Sequence, residues 1–405
     1  MSSRAQIVIS ARSRTGMQAL IFLAAVVALF GVARAPERIW PNLLLNGFYI
    51  VSLAVSALFF LATQRLTGAR WSAGLRRVPE AFMLLMPAAA GLMLILFFGR
   101  HTLYFWSRPD ALANVPFTAG RVRYLQVSSM AVRVTISMFL WVIFAWLFRR
   151  ASLAQDQNPS RSLILHQRLN RYSAVFIPVF AVTFSLSAFD WLLSLDSQWF
   201  SSMFAIYVFA GTFVQGIAAI TLATILLEER GLLASSVSQD QLHDLGKLLF
   251  AFSTFWAYIW TCQYLLIWYG NIPDEVTPYL RWTSGPWSYL FALNLVVNWA
   301  VPFVVLLPVR AKRAPRVLKA ISTLLLFGHW LDLYLLIMPP LWSTPRIGLF
   351  EIVMAAGYFA LIYLLFVRNL SQAPLQPAHE PILAAEGRVL VRQSIHLSSR
   401  SSGAE

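Results

Sequence analysis

TLLLFGHWLDLYLLIMPP, residues 323–340, places His329 and Asp332 inside an apolar run of membrane length. An aspartate at the centre of a bilayer costs from about 2.5 kcal/mol upward, so such a residue faces protein or water and marks an ion path or a structural pair. His329 and Asp332 stand three residues apart, which puts them on one face of a helix. The pattern predicts a polar, proton-handling interior in a chain of many membrane spans. The competing expectation is a buried polar pair that only fixes helix packing.

The rest of the chain agrees with the class. It is 58% hydrophobic and 12% charged, whereas a soluble domain carries about 25% charged residues. An all-α integral membrane protein follows. Its single cysteine, Cys262, lies within an apolar run, which rules out a disulfide framework or a thiolate-held cluster within this chain alone. Any iron-sulfur centre therefore belongs to a partner. The net charge of +15 sits mostly at the ends of apolar runs, so it reads as membrane topology and excludes nucleic acid as a partner.

About ten spans are expected, over 17–33, 42–63, 80–99, 127–148, 172–194, 203–227, 244–269, 287–308, 316–338 and 347–367, within a membrane domain of residues 1–370. The first run, preceded by Arg4, Arg12 and Arg14 and followed by VARA, reads as a retained anchor with a signal peptide as its alternative. Alternate loops collect most of the 32 Lys and Arg on one side, including Arg65, Arg149, Arg150, Arg161, Arg168 and Arg310. Both termini are thus expected in the cytoplasm. Residues 371–405, rich in Ser, Ala and Pro without apolar periodicity, read as a mobile tail.

With that orientation Asp190, Gln263, Tyr264, His329 and Asp332 fall in the outer half of the bilayer, with Glu351 at the outer margin and Asn46 and Asn294 in the same layer. Glu80, His243, Asp244 and Lys247 form an inner set, and the runs between are nearly all apolar. Two polar half-paths with a dry gap are expected, and Asp190 is expected either to relay protons or to pair with a neighbouring helix or with His329. For Asp244 and Lys247 the competing readings are a helix first turn and snorkelling. A haem would need a second histidine at the depth of His329, but His101, His166, His243, His379 and His396 lie at boundaries or in loops. The many aromatics invite a quinone slot, yet Trp256, Tyr258, Trp260, Tyr264 and Trp268 spread too widely around their span to define one pocket. SAFDWLLSLD and GHWLDLYLLIMP each set an aspartate among aromatics, four spans apart, which fits two four-helix bundles related as a parallel repeat, plus two additional helices.

Three stretches carry a family resemblance: HDLGKLLFAFSTFWAYIWTCQYLLIWYGNIPDEV (243–276), SLSAFDWLLSLDSQWFSSMFAIYVFAGTF (185–213) and GHWLDLYLLIMPP (328–340). Together they resemble the F subunit of bacterial alternative complex III, a quinol-oxidising electron-transfer assembly. That family is similar to the membrane subunits of polysulfide and nitrite reductases. The resemblance covers spans five to ten; the first four agree in length and placement only. It implies a subunit of the cytoplasmic membrane without a redox centre of its own, beside a related C subunit that is the better candidate for the quinol pocket. Haem c and iron-sulfur clusters would sit in partner subunits, with a terminal oxidase as a further partner and lipid around the whole. Asp190, Lys247, His329 and Asp332 are the positions the resemblance assigns to a proton route, with quinone or quinol contact left open. The alternatives are a secondary transporter, whose mark would be Gly- or Pro-broken spans at equivalent places in two halves, and an inert scaffold.

Overall fold

The computed structural model describes residues 10–108, 111, 118–233 and 237–377. Arg4, His379, His396 and most of the 371–405 tail lie outside the described residues. Among the described residues there is no strand, and the chain is an all-α, multi-pass membrane protein.

The first two spans are α1 (Ala11–Arg34) and α2 (Pro36–Leu66). The third, expected as one helix, is broken into α3 (Arg77–Met83), α4 (Met86–Ile95) and α5 (Arg100–Leu103). Pro87 lies in the first turn of α4, where it lacks a donor and disfavours helical geometry in the residue before it. After the short α6 (Ala119–Tyr124) come α7 (Val127–Gln157), α8 (Ser162–Trp191) and α9 (Phe204–Glu229). α10 (Gln239–Gly270) starts at a capping box, in which the Ser238 hydroxyl accepts from the Gln241 amide and the Gln241 side chain accepts from that of Ser238. It ends on left-handed Asn271, and Pro273 then opens the amphipathic α11 (Pro273–Thr283).

The eighth span is α12 (Trp287–Leu295) and α13 (Val301–Leu306), joined by a one-turn π segment, Val296–Ala300, directly before Pro302. A short α14 (Val309–Arg313) leads to α15 (Pro315–Ile337) and α16 (Leu349–Leu370). Nine of these spans among the described residues are long and apolar enough to cross a membrane. The expected seventh, α10, is 32 residues long, but Gln263 and its Trp and Tyr side chains dilute its apolar character.

Two rings of neighbours organise the molecule. α2, the broken third span, α7 and α8 pack in chain order, and α8 closes the ring on α2. α9, α10, α12–α13 and α15 repeat that order, and α15 closes on α9. These are the two expected four-helix bundles. They meet through α2 and α9, each with 89% of its most apolar window buried. α1 and α16 are the two additional helices and pack on each other, with Gly357 so close to Ala24 that a Cβ there would lie 2.2 Å from the Ala24 methyl. The breaks in the third and eighth spans do not fall at equivalent places in the two bundles.

Candidate functional site

Asp332 projects from α15 into the second bundle and is 2% exposed. Three helices present donors to it. Tyr207 of α9 donates its hydroxyl to Oδ1, Asn294 of α12 donates to the same oxygen at 2.8 Å, and the Trp256 indole of α10 donates to Oδ2 at 3.2 Å. All three donors are neutral. Asn294 is itself fixed by Asn298 of the π segment, which donates to the Asn294 side chain at 2.7 Å and to the Gly328 carbonyl of α15 at 3.0 Å. π segments often mark functional sites, and this one brings Asn298 against α15 where only a glycine leaves room: a Cβ on Gly328 would lie 2.5 Å from the amide oxygen.

His329 lies one turn from Asp332, 2% exposed, but the two side chains make no hydrogen bond. Both ring nitrogens lack a partner among the described residues. Gly211 of α9 faces both groups: a Cβ there would stand 3.0 Å from His329 Nδ1 and 3.1 Å from Asp332 Oδ2.

Beside Tyr207 and Asn294 is a cavity of about 20 Å³, room for a single water. Trp199, Trp260, Gln263, Tyr279 and Trp282 wall it. Gln263 donates to Ser201 at 3.0 Å, and the buried Trp199 indole N–H has no partner among the described residues. Burial pushes the Tyr279 phenol above its ordinary range, so it remains a neutral donor. Trp260 and Tyr264 do share one aromatic cluster, with Tyr279 and Phe291, while Tyr258 and Trp268 point outward at 61% and 67% exposure. The pocket that α10 aromatics could not define alone is completed by α9, α11 and α12.

The other expected residues do not join this site. Asp190 neither pairs with His329 nor shares a wet interior with Asp332. It belongs to the first bundle, where Arg133 of α7 grips it in a two-point ion pair at 2.6 and 3.0 Å, with the guanidinium over the Tyr124 ring. Glu351 is held by Arg38 of α2 at 2.7 Å through both oxygens, and a ladder on α2 continues inward through Asn42 and Asn46 to the Trp330 indole.

Glu80 sits in a buried charge cluster. Arg77 and Arg149 donate to it at 2.5 and 2.9 Å, Ser152 donates as well, and Arg76 and Arg77 also meet Asp156. The desolvation of so many charges is offset by mutual pairing, which makes this a structural node joining α3 and α7; Arg149 reaches α16 through the Asn369 carbonyl. Half-buried Asp244 pairs with exposed Lys247 at 2.5 Å, and His243 beside them is partly exposed.

Arg133, Arg38 and Asp156 are the partners that reading the sequence missed. Arg133 carried a usable signal, a cation seven residues into an apolar span. No group of His, Cys, Asp and Glu among the described residues is placed to hold a metal ion. No protein-family model and no curated protein matches the chain.

Proposed function

We propose that this chain is a membrane subunit of a quinol-oxidising respiratory assembly of the alternative complex III type, lying in the bacterial cytoplasmic membrane with both termini inside. In this reading it holds no redox centre. Electrons pass through haem c and iron-sulfur partner subunits beside a related C subunit, and this chain supplies a proton-exchanging carboxyl, Asp332. One observation carries the reading: the three stretches that bear the resemblance, far apart in sequence, meet at that carboxylate. Asp332 comes from 328–340, Tyr207 from 185–213 and Trp256 from 243–276.

The chemistry of the site supports the same role. Buried Glu80, Asp190 and Glu351 each face an arginine, whereas Asp332 meets only neutral donors. A carboxyl without a fixed cation can bind and release a proton without breaking an ion pair. The small cavity beside it, walled by Tyr207, Asn294 and Gln263 among aromatics, has room for one water next to the carboxyl's donors. A separate apolar cavity of about 280 Å³ between α2, α9, α15 and α16, with Tyr49 at one wall and Arg230 at another, is where a quinone ring would contact this chain.

Purification of the tagged protein from its own membranes tests the assembly: haem c and iron-sulfur subunits should co-elute. A protein that elutes alone and moves a solute in vesicles would replace this reading with transport. Within the complex, Asp332→Asn should leave assembly intact and lower proton movement per quinol oxidised. Unchanged coupling would reduce the site to a packing device.

A further inference from the structure

At the Glu80 end of the first bundle, α7 and α8 form a hairpin whose cleft encloses about 390 Å³. Arg150, Arg161 and Arg168 line it, together with Trp146, Asn158 and Tyr172. The contrast with their neighbours is informative. Arg149, one residue away and 7% exposed, is consumed by Glu80, and Arg76 and Arg77 by Glu80 and Asp156. Arg313 and Lys319 likewise have Asp240 and Glu229. No described carboxylate stands within ion-pair distance of Arg150, Arg161 or Arg168.

Beyond the cleft the exposed faces of both helices turn apolar. On α7 the face runs from Arg150 to Trp146, then to Phe139, Ile136 and Val132, exposed at 63%, 52% and 58%. On the α8 side it runs from Arg161, just before the helix, and Arg168 to Tyr172, then to Val175 and Val182, exposed at 55% and 62%. Steps of three, four or seven residues keep each series on one face. The cleft therefore has a cationic head and an aromatic collar, and the exposed apolar faces of the two helices continue beyond it as a floor, in the order of headgroup, interface and acyl region of a lipid leaflet. The Arg150 guanidinium lies 5.1 Å from the Trp146 ring centre, within cation–π range, which keeps the head against the collar.

We infer that this cleft is a specific site for an anionic phospholipid. The three guanidiniums take the phosphate oxygens, a geometry that arginine supports through several donors at once. One acyl chain lies along Phe139, Ile136 and Val175. A free phosphate would satisfy the head but not the floor, and a zwitterionic lipid brings its own cation to the arginines.

The test is native mass spectrometry of the full-length protein titrated separately with phosphatidylglycerol, phosphatidylcholine and inorganic phosphate. Phosphatidylglycerol should bind most tightly and resist displacement by phosphate. Arg150→Gln/Arg161→Gln/Arg168→Gln should weaken it roughly a hundredfold, about fivefold per arginine. These side chains are exposed, so the variant should keep its fold, as its unfolding temperature would show. Arg310→Gln, an exposed arginine on α14, should leave binding unchanged. Equal binding of the two lipids, ready displacement by phosphate, or an equal loss in Arg310→Gln would each overturn the site. Occupation of the cleft by a protein partner in the purified complex, with no lipid retained, would overturn it as well.

Discussion

Asp332 is held by three hydrogen bonds and no cation, and that arrangement sets how its variants should rank. Tyr207→Phe removes one donor and leaves no new buried polar group, so it should cost about 1–3 kcal/mol. Asp332→Leu leaves the Tyr207 hydroxyl, the Asn294 amide and the Trp256 indole without an acceptor, at about 1–3 kcal/mol each, and should cost several times as much. Unfolding in a mild detergent gives the order directly; a Leu variant as stable as Tyr207→Phe would show that the donors find other acceptors. That Asp332 and His329 matter was legible in the sequence, because an ionisable group in a membrane-length run needs a reason. Their partners were not. A tyrosine or tryptophan in a span reads the same whether it lines an interface or meets a carboxylate, and only the fold brings Tyr207 and Trp256, 125 and 76 residues away, to one point.

At the scale of the helix, the breaks position the site. The π segment Val296–Ala300 carries Asn298 to the Gly328 carbonyl, and Asn298 in turn orients Asn294 on Asp332. Gly328→Ala should therefore do more than crowd two helices. Its methyl would press on Asn298, shift Asn294 and loosen the carboxyl, lowering stability by about 1–3 kcal/mol as overpacking does. Hydrogen exchange should rise over residues 287–306 and 323–337 while α7 and α8 keep their protection; an effect confined to α15 would break the proposed linkage. Apolar length alone predicted where most of these helices lie, within several residues. The third span was expected as one piece, although Pro87 was visible, because a proline in a span can bend a helix or end it and the outcome depends on what packs beside it.

The molecule as a whole repeats one plan with one change of charge. Asp190 and Asp332 occupy α8 and α15, the fourth members of the two rings, and their partners Arg133 and Asn294 occupy the third members, α7 and α12. The aspartate repeat could be read from sequence at an offset of four spans, but the convergence of both aspartates on one interior could not follow from it, since each aspartate turns into its own bundle. Under the proposed function, the cation in one ring and the amide in the other divide the work: the first bundle serves as a fixed scaffold and the second holds the carboxyl free to exchange. Arg133→Met alone should cost about 3–5 kcal/mol, because it strands a buried carboxylate. Arg133→Met with Asp190→Leu replaces the whole pair by apolar side chains and should recover most of that loss. Denaturation of the purified protein measures both values. In the proposed complex the double variant should also couple quinol oxidation to proton movement as the parent does, in contrast to Asp332→Asn. If the double variant is stable yet uncoupled, protons cross through both bundles, and the charge difference between them does not mark a division of labour.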